Sequence, residues 1–284
     1  MRVLLLLVPW LVINPAWAGE PLGVFVSILP QRYLAERIGG EYIEVSVMVQ
    51  PGASPATYEP RPRQMTRLAK AELYFRIGVP FERAWMDRLR SINPDMEVVA
   101  TSQGIERRHM GTLQGSGSER GLADPHVWTS PPLAKLVARN MRDALVRHDP
   151  GHAAAYREGY QALAADLDQL HRDIRAILRD LDRRSFMVFH PSWGYFADTY
   201  GLKQIPIEIE GKAPSARQLA RIIDKGRREE VSVIFVQRQF SRDTAEAVAD
   251  AIGAEVVQVD PLAADYIANM RRVARAFAAA LDEA

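Results

Sequence analysis

Cysteine is absent from all 284 residues, which excludes disulfides and thiolate metal ligands and leaves no cysteine to carry a lipid anchor. Net charge is almost absent too, with 36 basic against 35 acidic residues. The first eighteen residues hold one arginine and no acid, so the chain behind them is expected to be neutral, 35 against 35. Neither nucleic acid nor an anionic membrane is an expected partner of such a chain. Beyond the N-terminus no run of about 20 apolar residues occurs, which excludes a further membrane-spanning helix. Catalytic signatures are missing as well: there is no His-Glu-x-x-His helix, no Gly-x-Ser-x-Gly elbow and no glycine-rich phosphate loop.

What is present begins with an export signal. Met1-Arg2 is followed by the apolar run Val3 to Ile13 and by the small-x-small site Ala16-Trp17-Ala18. The run is too short to span a bilayer, so cleavage after Ala18 and a free, soluble, monomeric periplasmic protein are expected. The remaining residues, about 266, exceed the comfortable size of one core and suggest two lobes.

Strand-like runs at 23–28, 43–49, 73–77 and 97–100, and again at 186–190, 204–207, 231–237 and 255–260, alternate with helical patterns at 31–38, 62–69, 81–90 and 213–228. This alternation predicts an α/β fold with a mainly parallel sheet in each lobe. Between the halves, Tyr156, Tyr160, Leu163, Leu167, Leu170, Ile174, Ile177 and Leu181 recur at alternating steps of four and three. That is the apolar stripe of one helix of about 30 residues, about 45 Å long. Asp149-Pro150 suits its start, since aspartate caps a helix and proline fits the first turn. The expected organisation is a signal over 1–18, a first lobe over 19–148, a linking helix over 149–183 and a second lobe over 184–284. The Gly/Ser-rich stretch 111–121 reads as a surface connection.

Four segments carry the chemistry: Pro51–Pro60, Asp124-Pro125-His126-Val127-Trp128, Phe189–Ala197 and Val259-Asp260-Pro261-Leu262. In this order they resemble the ligand motifs of the zinc and manganese solute-binding proteins of bacterial ABC importers (ZnuA/TroA-like, cluster A-I). The resemblance runs over about residues 22–281. It implies a divalent metal between the lobes, held by His126, His190 and Asp260, and delivery of that metal to an ABC transporter permease. It also implies modest lobe movement about a rigid helix. One ligand departs from the pattern: Ala56 stands where the family places its first histidine.

Two imidazoles and one carboxylate suit Zn2+ first, and also Mn2+ or another divalent first-row metal. His190 and Asp260 fall at the C-terminal ends of predicted strands, where open α/β sheets place their ligands. Asp124 is positioned to orient an imidazole. Glu59, Glu208 and Gln237 are the candidates near the vacant position. For Glu59 the expected role is a cap before the helix at Pro62, and for Glu208 a solvated loop; a neutral amide such as Gln237 is a poor zinc ligand. Water is the simplest fourth ligand. Three protein ligands plus water is also how catalytic zinc is held, so a zinc hydrolase is one alternative; a binder of a metal chelate or other small solute is another.

Overall fold

The computed structural model describes residues 20–110, 123–208 and 214–282. The export-signal segment and the Gly/Ser-rich stretch lie outside those residues. Two four-stranded parallel sheets form two lobes. The first contains β1 (Leu22–Val26), β2 (Ile43–Val47), β3 (Leu73–Arg76) and β4 (Glu97–Ala100) in the order β2-β1-β3-β4. The second contains β5 (Ser185–Val188), β6 (Lys203–Pro206), β7 (Val233–Val236) and β8 (Glu255–Gln258) in the order β6-β5-β7-β8. Each lobe therefore reverses its strand order between the first and third strands, and such a reversal opens a crevice at the strands' C-terminal ends.

Helices follow the strands: α1 (Leu29–Gly39), α2 (Pro62–Leu68), α3 (Pro80–Ile92) and α4 (Pro131–His148) in the first lobe. The second lobe has α6 (Gly194–Tyr200), α7 (Ala216–Arg228), α8 (Asp243–Ile252) and α9 (Tyr266–Asp282). Proline at the first turn starts α1 to α4, where its missing N–H costs nothing. On α2 the residue that reaches back to close the first turn is Gln64, whose Oε1 accepts from the Arg61 N–H at 2.9 Å. The cap expected of Glu59 is thus supplied by Gln64, and Glu59 is exposed.

One long helix, α5 (Ala153–Ile177), joins the lobes. It is shorter than its apolar stripe suggests, at 25 residues, because Pro150–His152 forms a 3₁₀ turn and the helix ends at Leu178. The stripe is still the buried face: Tyr156, Leu163, Leu167, Leu170 and Ile174 are all fully or nearly fully buried. Helix α5 packs on α1 and α4 of the first lobe and on α9 of the second. Gly159 permits the close crossing over α1, where an added Cβ would meet the Ile38 carbonyl oxygen at 2.5 Å. The ion pairs Arg37–Asp166, Lys135–Asp168 and Arg271–Asp173 pin α5 to both lobes. The histidines along this element are spoken for: His152 Nδ1 lies 2.7 Å from Asp149, and His171 Nδ1 lies 3.2 Å from the Tyr200 hydroxyl. At its far end, α9 is fixed to the second sheet by Phe277, stacked on Phe235 at 3.9 Å and edge-on to Phe186 at 4.8 Å.

Candidate metal centre

The site residues sit just past the last paired residue of each strand. His190 follows β5, Gln237 follows β7 and Asp260 follows β8, while His126 precedes the short 3₁₀ turn Val127–Thr129 that leads into α4. Bringing the lobes together places His126 and His190, 64 positions apart in sequence, with ring centroids 5.2 Å apart and planes at 74°. A Zn–N bond of about 2.0–2.1 Å puts an imidazole centroid about 3.2 Å from the ion. Two such rings at a tetrahedral angle then stand about 5.2 Å apart, so the observed spacing fits a shared metal.

Each imidazole is held from behind by a buried carboxylate. Asp124 Oδ1 lies 2.7 Å from His126 Nδ1 and also accepts the His126 backbone N–H at 2.9 Å. Glu208 lies 3.1 Å and 3.2 Å from His190 Nδ1 through its two oxygens. A carboxylate at Nδ1 favours the tautomer with hydrogen there, which leaves Nε2 as the lone pair available to a metal. Glu208 is only 5% exposed, so the expected solvated loop is replaced by a buried, paired carboxylate. The orientation role anticipated for Asp124 has a counterpart at Glu208 that sequence reasoning missed. The one available signal was the Ile-Glu-Ile alternation running off a strand end.

Burial pushes the His126 imidazole below its ordinary value of 6.5, while Asp124 pulls in the opposite direction. A neutral ring is the form that ligates. Asp124 is itself clamped: its carbonyl oxygen accepts from Arg107 Nη1 at 2.9 Å and from the Tyr195 hydroxyl at 3.0 Å, and its Oδ2 faces Arg108 Nε at 3.8 Å. Glu208→Gln keeps the side chain's shape and removes its charge. Zinc affinity is expected to fall roughly tenfold or more, as read by competition with a chromophoric chelator. Unchanged affinity would mean that His190 needs no carboxylate.

Gln237 is engaged at both ends of its amide. Oε1 accepts from the His190 N–H at 3.3 Å, and Nε2 donates to the His190 carbonyl at 2.6 Å and to Ser192 Oγ at 2.7 Å. It fixes the backbone of the histidine. Phe240 stacks on the His190 ring at 5.1 Å and 21°.

His126, His190 and Ala56 line one cavity of about 50 Å³, together with apolar groups including Val79, Met110 and Phe240. That volume accommodates an ion with a few waters. The loop bearing Ala56 is anchored, since the Phe81 N–H donates to the Pro55 carbonyl at 3.1 Å and Tyr58 packs edge-on to Phe81 at 5.9 Å. Tyr58 also donates its hydroxyl to Gln64 at 2.7 Å. Glu59 is not on the cavity wall.

Asp260 lies on the adjoining interlobe cleft, which shares Gln239 and Leu262 with the cavity. Its Oδ1 accepts the Leu262 N–H at 2.8 Å and its carbonyl accepts from Asn269 at 2.7 Å. The same turn is tied to the other lobe, because Trp128 Nε1 donates to the Pro261 carbonyl at 2.7 Å and Tyr266 donates to the Trp128 carbonyl at 2.6 Å. Among the described residues, no three His, Asp, Glu or Cys side chains converge on one point as a metal-holding group. Two imidazoles are brought together; the carboxylate stands one cleft away.

Comparison with known proteins points to one family. The family described as zinc-uptake complex component A, periplasmic (ZnuA), matches residues 24–280. A crystal structure of ZnuA with residues 138–173 deleted and zinc bound superposes with a TM-score of 0.87 at 40% identity, covering 93% of this chain and 100% of that one. The iron-binding protein YfeA of Yersinia pestis is 28% identical over 260 residues, 89% of this chain and 82% of its own. The high-affinity zinc uptake system protein ZnuA of Bacillus subtilis is 26% identical over 253 residues, 86% of this chain and 79% of its own. With the match running over nearly the whole chain, and with two carboxylate-backed histidines facing one interlobe cavity, the protein belongs to the periplasmic zinc-uptake component A family.

Proposed function

We propose that this chain binds a single divalent metal between its lobes, zinc first, and delivers it as cargo to the permease of an ABC importer in the periplasm. The family is one of solute-binding transport proteins rather than enzymes, and among its relatives are zinc- and iron-binding proteins. The observation that carries the reading is the pair of imidazoles 5.2 Å apart, each backed at Nδ1 by a buried carboxylate. Nε2 of His126 and Nε2 of His190 are the proposed nitrogen ligands. Asp260 is the proposed oxygen ligand, reaching the ion by a turn of its side chain from the adjoining cleft. Water takes the position that Ala56 leaves open. The small cavity accommodates a hydrated ion.

The test is metal content and zinc affinity of the chain from residue 19 onward, purified without a histidine tag. About one zinc per chain and a Kd well below about 1 μM are expected. A protein that holds no zinc more tightly than about 1 μM would sink the proposal.

A further inference from the structure

Among the described residues strand β2 is an edge strand, hydrogen-bonded to β1 and to no other strand. Beside it runs a groove of about 860 Å³ whose walls include Glu44 and Ser46 of β2 and Arg61, Arg63 and Arg67 of the α2 segment. A second hollow of about 280 Å³ shares Glu44, Ser46 and Arg67 and extends the groove to Lys70. Arg63 and Arg67 are four apart, so they stand on one face of α2, and Lys70 continues that face from the turn ending the helix.

These four cations are exposed, and among the described residues none of them enters an ion pair. Elsewhere on the surface Arg37, Lys135, Arg142, Arg147, Arg271 and Arg272 have carboxylate partners, while Arg217 and Arg221 of α7 are also without one among the described residues but border neither hollow. The chain as a whole is nearly neutral, so this concentration of charge is local. Glu44 is the one carboxylate on the walls of either hollow.

We propose that this groove receives an acidic, extended polypeptide segment of a partner protein, laid along β2 as an added strand. The five residues of β2 offer about 16 Å of strand for such a segment. An unpaired edge supplies backbone partners, and the guanidinium row supplies selection for carboxylates. Gln50 and Gln64 amides already occupy the Val47 carbonyl, at 3.0 Å and 3.1 Å, so the added strand pairs before that point. Single-stranded nucleic acid fits less well, because it needs aromatic rings to stack on. The one aromatic side chain on the groove walls, Phe25, is buried. The groove shares Leu29, Arg32, Gln50 and Pro51 with the interlobe cleft, so its occupant would reach the mouth of that cleft.

The test uses the chain from residue 19 onward and a fluorescein-labelled octapeptide of alternating glutamate and valine, followed by fluorescence polarisation. Binding is expected with a Kd of roughly 10–100 μM at low salt, weakening as salt screens the contact. Arg63→Glu/Arg67→Glu should weaken it at least tenfold, and Arg61→Ala/Lys70→Ala should do so more mildly. Arg217→Glu/Arg221→Glu, on exposed positions of α7, should leave it unchanged. Equal loss in the α7 variant would overturn the proposal, as would no binding by the unaltered chain. A peptide with proline at alternate valines should not bind; equal binding would overturn strand addition. Binding to phosphatidylglycerol vesicles that the groove variants abolish, without peptide binding, would assign the surface to a membrane and overturn the proposal.

Discussion

Replacing His190 by alanine is expected to weaken zinc binding by at least about 100-fold, or about 2.8 kcal/mol. The size follows from comparison with the groups behind the ligands, whose loss alone costs about 10–100-fold. The same substitution leaves Glu208 buried with no imidazole to pair with, so some loss of thermal stability should accompany it. His126→Ala should match it in affinity, because the two rings share one cavity. Chelator competition with both variants is the measurement; affinity retained in either would remove that histidine from the ligand set.

His126 also sets a pH dependence. Its folded-state pKa is lowered by burial, so the unfolded chain binds a proton near 6.5 that the folded chain refuses. Its contribution to stability is therefore fully present above about 6.5 and is lost as pH falls through its own lower value. Denaturation of the metal-free protein should show this slope, and His126→Ala should flatten it.

Ala56→His is the second large effect, and it runs in the favourable direction. Ala56 lines the same cavity as both imidazoles, on a loop anchored by the Pro55 carbonyl and by Tyr58. A third imidazole there would replace a water ligand with a nitrogen ligand. Zinc affinity should rise at least about tenfold, or about 1.4 kcal/mol. No gain would show that a side chain at position 56 does not reach the ion. The Phe81 N–H to Pro55 contact makes a displaced loop an unattractive explanation, since shifting it would leave that donor unpaired.

Much of the fold was readable because it depends on local periodicity. Among the described residues all eight strands fall within the predicted runs or start one residue before them, since apolar alternation and flanking turns are written in neighbouring residues. The stripe on α5 marked its buried face for the same reason, although the 3₁₀ turn at Pro150–His152 shortened the helix. Asp124 and His126 are two residues apart, so their pairing could be anticipated from an Asp-Pro-His turn alone. Glu208 could not be placed in this way. It lies eighteen residues from His190, on the loop after a neighbouring strand, and only the β5–β6 pairing brings the two together. Glu59 erred in the other direction, because Gln64 sits at the spacing that closes the first turn of α2 and Glu59 does not.

The sequence by itself determined the chemical alphabet of this protein. It has no thiolate, two candidate imidazoles in His126 and His190, a carboxylate after the last strand and an alanine at position 56. These follow from residue identity and short-range order. Tertiary structure alone decided their relationships: which rings share a cavity, which carboxylates stand behind them, and that Asp260 opens on the adjoining cleft while Ala56 opens on the cavity the two imidazoles share. The reason is that coordination and electrostatic pairing act over a few ångströms between groups far apart in the chain. Their distances are set by how two sheets are held across α5 and by how the Trp128 and Pro261 turns are tied together.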